Sequence, residues 1–153
     1  MNLIDVKSPA DLKGLSISEL TDLTAQARQA LMTKVSEHGG HFGPPMGAAE
    51  IIMALHYVFN SPVDKIVYDV SHQSYVHKMV TGRALAFLDH DHYDDVTGYT
   101  DPTESDHDFF NIGHTSTSIS LASGLATARN LKGDFENIIA IIGDGSLSGG
   151  EAF

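Results

Sequence analysis

Cysteine is absent from this 153-residue sequence, and basic residues are scarce. Without cysteine the chain has neither a disulfide nor a thiolate metal site, which is compatible with a reducing cytoplasm. Nine lysine and arginine residues against 20 acidic residues give a formal net charge of −11, which argues against nucleic acid or an anionic membrane as a partner. An anionic cofactor stays compatible with this charge, because a metal ion and helix N-termini supply local positive charge.

Long apolar runs are also missing. No segment approaches the length of a membrane-spanning helix, and the N-terminal residues do not follow the pattern of a signal peptide. With 42% hydrophobic and 19% charged residues, the composition is that of a soluble globular protein, for which we expect a cytoplasmic location. A chain of this length can form one domain that buries about two-thirds of its extended surface.

Helical signals dominate the first third of the chain. Ser16 and Glu19 form a capping-box pattern, and the helix that starts there is predicted to end at Gly39-Gly40. Residues 46–59 are apolar on nearly every face, which predicts a second, buried helix. The apolar stripe of the first helix consists of Ile17, Leu20, Leu23, Ala27, Leu31 and Val35.

Short apolar strands alternate with helices in the rest of the chain. Strands are predicted at 66–70 and 138–142, and helices at 74–82 and 116–131. This alternation indicates an α/β fold with a doubly wound parallel sheet. The second of these helices contains small residues that would permit close packing on a sheet, namely Ala122, Ser123, Gly124 and Ala126.

The 138–142 strand runs into Gly143-Asp144-Gly145-Ser146. A buried parallel strand that ends this way delivers one carboxylate to the carboxyl edge of the sheet, where α/β proteins bind ligands. The glycines would let the backbone approach a phosphate, and Asp144 could hold a hard divalent cation. An ordinary turn is the alternative interpretation.

Three histidines, His41, His72 and His114, follow glycine turns or a strand end. We expect them at the same sheet edge as Asp144, where imidazoles that titrate near neutral pH suit proton transfer. Taken singly, each is better explained as a turn histidine that is exposed to solvent or hydrogen-bonded, and it is the occurrence of three beside Gly143-Asp144-Gly145 that favours a site.

The segment Gly113–Ser118 opens the 116–131 helix. Free backbone N–H groups, hydroxyls and the positive helix end would form a cradle for a diphosphate. Plain N-capping by Ser116 or Thr117 is the alternative.

Between Asp89 and Asp108 the chain has eight acidic residues, three histidines and no lysine or arginine. We interpret this loop as a solvated acidic segment rather than a metal site, since its close spacings define no fixed geometry.

Taken together, these motifs resemble those of the 1-deoxy-D-xylulose-5-phosphate synthase family of thiamine diphosphate enzymes, which are related to transketolase. The resemblance covers nearly all of residues 15–153. The matching segments, in chain order, are Gly40-His41-Phe42-Gly43, Asp69-Val70-Ser71-His72-Gln73, His77-Lys78, Thr81-Gly82-Arg83, Gly98, Glu104-Ser105, Gly113 to Ser120 and Gly143-Asp144-Gly145.

The resemblance implies a thiamine diphosphate-binding fold, of which residues 1–153 would be the N-terminal part of the first domain. It implies Asp144 as a Mg²⁺ ligand and His41 and His72 as catalytic residues. The residues implied to bind the cofactor are His72, Gly113, His114, Thr115, Gly145 and Ser146.

The implied reaction joins pyruvate and glyceraldehyde 3-phosphate to form 1-deoxy-D-xylulose 5-phosphate, with release of CO2. The sugar phosphate is a precursor of isoprenoids and thiamine, and the implied enzyme is a homodimer. The family completes its metal site with an asparagine further along the chain and its active site with residues of later domains. We therefore expect the 153 residues alone to bind cofactor weakly and not to turn over.

Departures from the family pattern keep two alternatives open. Glycine is usual where Ser71 stands, and basic residues are usual in the acidic 89–108 loop. Gly43-Pro44-Pro45-Met46-Gly47 is closer to the transketolase form of that turn. A transketolase-type enzyme with another donor is the first alternative, and a truncated, non-catalytic binding module is the second.

Overall fold

The computed structural model describes residues 1–153, which form two compact units. The first unit consists of Met1–Asn60 and His72–Gly98, and the second of Ser61–Ser71 and Tyr99–Phe153. The first unit is helical, and the second contains the sheet.

Five helices make up most of the first unit. They are α1 (Ile17–His38), α2 (Gly43–Gly47), α3 (Ala49–Val58), α4 (Tyr75–Lys78) and α5 (Leu85–Leu88). Short 3₁₀ turns at Leu3–Asp5, Pro9–Leu12 and His90–Asp95 accompany them. Helix α1 packs against α3 and α5, and α3 packs against α4. No helix of the structure combines the length and the apolar character needed to cross a membrane.

Helix α1 begins with the predicted capping box. The Glu19 amide donates to the Ser16 hydroxyl over 3.3 Å, and the Ser16 amide donates to the Glu19 carboxylate over 2.8 Å. These contacts with Ser16 hold the pKa of Glu19 below its usual value. The predicted apolar stripe is wrong at its start, since Ile17 is 84% exposed, and the buried face begins at Leu23. At the C-terminal end the chain leaves the helix through Gly39, whose φ of +89° favours glycine.

The helix predicted at 46–59 differs from the structure in two ways. The Pro44-Pro45 segment forms the separate short helix α2, and α3 starts only at Ala49. Helix α3 is not buried on every face: its buried residues include Ile52 and Met53, whereas Ile51 is 59% exposed and Val58 is 64% exposed.

The second unit contains the strands β1 (Lys65–Tyr68) and β2 (Ile138–Ile141) and the helix α6 (Ser118–Lys132). The strands pair in parallel, with Lys65 opposite Ile138 and Tyr68 opposite Ile141. The parallel α/β class predicted from the sequence is therefore confirmed, with a sheet of two strands. The expectation of a buried second strand is wrong, because every residue of β2 is only half-buried.

Helix α6 packs on both strands through one apolar cluster. Only part of the predicted small-residue face contributes, since Ala122 is buried whereas Ser123 and Gly124 are exposed. The cluster consists of Val67, Ile112 and Ala122, with Phe110, Leu121, Leu125, Ile138 and Ala140 packed against them. This packing fixes the N-terminus of α6 near the end of β1.

Candidate functional site

His41 and His72, the two histidines predicted to be catalytic, lie together in the first unit. Their ring centroids are 4.6 Å apart, and the planes meet edge-to-face at 61°. His41 is exposed and His72 is half-buried. Two imidazoles in direct contact can act on the same small molecule as proton donor and acceptor.

The glycine turn before His41 determines where that histidine lies. Gly39 and Gly40 have φ values of +89° and +122°, in the region that L side chains rarely adopt. The backbone amide of His41 donates to the hydroxyl of Tyr75 over 3.4 Å. His41 and Tyr75 share the wall of a cavity of about 250 Å³ in the first unit. His41 therefore has an exposed imidazole, while its backbone is held by the hydrogen bond to Tyr75.

In the second unit, Asp69 organises the start of α6. Its carboxylate is buried and accepts hydrogen bonds from the backbone amides of Ser116, at 2.9 Å, and Ser118, at 3.0 Å. Burial alone would raise the pKa of Asp69, but the hydrogen bonds from Ser118, Ser116 and the Ser146 side chain outweigh it and lower the pKa. Asp69 is thus a buried carboxylate that stays ionised.

This contact corrects the prediction of free amides at the 113–118 turn. The N–H groups of Ser116 and Ser118 are already occupied by Asp69, so they are not available to a diphosphate. The alternative of simple N-capping is also wrong in its detail. Thr117 is the N-cap residue but makes no side-chain capping bond, and Asp69 supplies the cap from another element.

The two segments predicted to bind the cofactor are adjacent in the second unit. The Ser116 hydroxyl donates to the backbone carbonyl of Ser146 over 2.6 Å. Gly149 approaches the same serine so closely that a Cβ atom at this position would collide with the Ser116 side chain. The Gly113–Ser118 turn and the Gly143–Ser146 turn are therefore held together by Ser116.

The remaining predicted ligands of the second unit are exposed on these turns. Asp144 is exposed, and one of its carboxylate oxygens accepts from the Gly145 amide at 2.9 Å. His114 and Thr115 are exposed as well, with the His114 ring nitrogen Nδ1 2.8 Å from the Thr115 carbonyl. Gly113 and Gly145 are exposed too. One exposed carboxylate and several backbone groups suit a Mg²⁺ ion whose other ligands are phosphate oxygens.

The acidic segment at 89–108 has local pairs rather than a convergent site. His92 lies 2.7 Å from Asp95, and this hydrogen bond raises the pKa of His92. His38 lies 2.9 Å from Asp94. No group of three or more histidine or acidic side chains in the structure is placed to hold a metal ion.

Asp69 and Tyr75 were not among the site residues predicted from the sequence. Asp69 could have been found by the argument applied to Asp144, since both are carboxylates at the end of an apolar strand. No local pattern marks Tyr75, because its contact with His41 spans 34 residues.

Comparison with known protein families gives the same family as the motifs do, over nearly the whole chain. Residues 3–153 match the family model described as 1-deoxy-D-xylulose-5-phosphate synthase. A protein of that name from Caldanaerobacter subterraneus subsp. tengcongensis is 53% identical over 98% of the chain. Those from Chlorobaculum tepidum and Symbiobacterium thermophilum are 51% and 50% identical over 99% and 100% of the chain. In each case the chain spans 24% of the relative's length.

Proposed function

We propose that the chain forms part of a thiamine diphosphate- and Mg²⁺-dependent transferase, because it belongs to the 1-deoxy-D-xylulose-5-phosphate synthase family. The proposed reaction consumes pyruvate and glyceraldehyde 3-phosphate and yields 1-deoxy-D-xylulose 5-phosphate and CO2. The observation that carries the proposal is the match of residues 3–153, at about half identity, to relatives of that one name.

In this proposal the chain contributes part of the diphosphate-binding domain. Asp144 would hold Mg²⁺ through its carboxylate, and the ion would supply positive charge for a diphosphate beside a chain whose own net charge is −11. The cofactor, when bound, supplies the electron sink for the carbanion chemistry. The residues proposed to line it are His72, Gly113, His114, Thr115, Gly145 and Ser146.

The second unit supports this assignment by holding its two binding turns rigidly. Ser116 ties the Gly113–Ser118 turn to Ser146, and Asp69 fixes both Ser116 and Ser118. With the Ser116 and Ser118 amides already used, the groups left to face a diphosphate are the exposed ones at Gly113 to Thr115 and at Asp144 and Gly145.

His41 and His72 are the proposed acid–base residues. Their contact of 4.6 Å supports a role at one reacting group. His41 is the more exposed of the two and can take a proton from, or return it to, a substrate oxygen, while the half-buried His72 orients its ring.

The context of the reaction belongs to the same proposal. We place the enzyme in the cytoplasm as a homodimer that supplies precursors of isoprenoids and thiamine. Its substrates are small molecules, and neither nucleic acid nor a membrane takes part.

The test is a donor comparison on the native gene product, purified from its source cells. With thiamine diphosphate, Mg²⁺ and glyceraldehyde 3-phosphate present, we expect product from pyruvate and none from a ketose phosphate. Product from the ketose phosphate alone would favour a transketolase-type enzyme, and no product from either donor would favour a binding module. We expect Asp144→Asn to lower kcat at least about 100-fold, whereas the exposed Asp134→Asn should leave it unchanged.

A further inference from the structure

Tyr75 is a buried aromatic residue with a polar contact that the proposed chemistry does not use. It is 5% exposed and begins helix α4, three residues after His72. Its ring packs against Phe87 at a centroid distance of 5.4 Å. Its hydroxyl oxygen lies 3.4 Å from the backbone nitrogen of His41. The ring and the hydroxyl therefore connect the core of the first unit to the exposed histidine.

Gly40 makes room for this hydroxyl. A Cβ atom on Gly40 would lie 3.1 Å from the Tyr75 oxygen, and one on Gly98 would lie 3.4 Å from it. The first distance is tighter than most Cβ contacts, whereas the second is ordinary van der Waals contact, and Gly40 also has a φ of +122°. The backbone before His41 thus has the conformation and the bare surface that a close tyrosine hydroxyl needs.

The far side of the tyrosine is anchored as well. Phe87, on which Tyr75 packs, has the Lys34 ammonium over its ring at 4.4 Å. Lys34 is itself buried and donates to the carbonyls of Ala86 and Tyr93 at 2.8 Å each. A cation held by two carbonyls over an aromatic face is a rigid support. Tyr75 consequently has little freedom to withdraw from the Gly40–His41 backbone.

We infer that Tyr75 is a positioning residue for His41: its hydroxyl holds the Gly40–His41 backbone and so sets the imidazole against His72. The inference rests on the proposed function, in which His41 moves a proton at a substrate oxygen. Proton transfer depends steeply on the placement of the donor and acceptor atoms. Loss of the hydroxyl should therefore affect the chemical step more than substrate binding.

The test uses Tyr75→Phe in the native gene product, because this change removes the hydroxyl and keeps the ring on Phe87. We expect kcat to fall about tenfold, KM for both substrates to stay within about twofold, and the melting temperature to stay unchanged. The matched control is Tyr93→Phe. Tyr93 lines the same cavity, and its hydroxyl donates to Glu37 over 3.1 Å. This control should retain the kcat of the unmodified protein.

A second measurement reads the contact without activity. In protein labelled with ¹⁵N-histidine, Tyr75→Phe should speed hydrogen exchange at the His41 amide about threefold, and Tyr93→Phe should not. A kcat of Tyr75→Phe equal to that of the unmodified protein would overturn the inference. An equal loss of kcat in Tyr75→Phe and Tyr93→Phe would overturn it as well. If the unmodified protein makes no product, the proposed function fails, and the exchange rate of the His41 amide alone decides the inference.

Discussion

The backbone just after β1 is strained at two consecutive residues. Val70 and Ser71 have φ values of +57° and +73°, in the left-handed region where a β-branched residue is rare. Ser71 offsets this strain through its hydroxyl, which donates to the Ile112 carbonyl over 2.6 Å and accepts from the Thr100 amide at 3.0 Å. The serine that departs from the family's usual glycine is thus a structural connection inside the second unit.

Substitutions at Ser71 separate the strain from the hydrogen bonds. Ser71→Gly relieves about 1 kcal/mol of strain and loses two bonds worth about 1 kcal/mol each. Ser71→Ala loses the same two bonds, to the Thr100 amide and the Ile112 carbonyl, and keeps the strain. We expect the stability order wild type, then glycine, then alanine, with alanine lower by about 2–3 kcal/mol.

Urea unfolding, followed by hydrogen exchange of the peptides that contain Thr100 and Ile112, measures this order. The exposed Ser36→Ala, which removes a hydroxyl bonded only to the preceding turn of α1, is the control and should change stability by less than about 0.5 kcal/mol. An alanine variant as stable as wild type would show that the hydroxyl bonds contribute nothing, and one more stable than the glycine variant would show that the backbone at Ser71 is not strained.

Among the elements, α6 depends most on a residue outside itself. Asp69, just after the end of β1, accepts hydrogen bonds from the amides of Ser116 and Ser118 at the start of α6. These residues lie 47 and 49 positions further along the chain. A carboxylate at this position also interacts favourably with the positive end of the helix dipole. The cap therefore joins strand, helix and the Ser146 turn into one arrangement.

Replacing Asp69 with asparagine should destabilise the start of α6 by about 2–3 kcal/mol at pH 7, because the amide can accept through only one atom. The pKa of Asp69 is lowered on folding, so its contribution is fully present above the usual aspartate pKa of about 3.9. It is lost as the pH falls through the lower folded value. The difference between the two proteins should accordingly be constant above about pH 5 and shrink below about pH 4.

Hydrogen exchange of α6 peptides at pH 7 and pH 3.5, corrected for intrinsic rates, tests this pH dependence. Asp134→Asn is the matched control, since it removes an exposed carboxylate just beyond the other end of α6 and should cause no loss. An Asp69→Asn effect of the same size at both pH values would mean that the ionised form of Asp69 is not what caps the helix.

On the scale of the whole molecule, the share of its relatives that the chain covers determines which test of function is informative. The chain spans 24% of the length of its relatives, which carry the enzyme name. We predict that the native gene product has an intact mass several times 16.5 kDa. Mass spectrometry of the protein from its source cells measures this directly. A native mass of 16.5 kDa would contradict the prediction and move the non-catalytic binding module to the front.

Local signals predicted the elements well and their burial less well. The Ser16 capping box and the Gly39 stop placed α1, because both act through neighbours in sequence. Burial of Ile51 and of β2 was predicted wrongly, because the hydrophobicity of a side chain gives its preference for the interior and not its actual exposure. Whether an apolar face is covered depends on what packs against it, which periodicity does not contain.

The sequence by itself determined the parallel α/β class, the turns that carry His41, His72 and Asp144, and the family. These follow from periodicity, glycine placement and the order of motifs, all of which are local or directly legible. Only the tertiary structure decided that His41 meets His72, that Asp69 takes the amides of Ser116 and Ser118, and that Tyr75 lies under His41. Each of these contacts joins residues 31 to 49 positions apart, and packing rather than spacing brings such residues together.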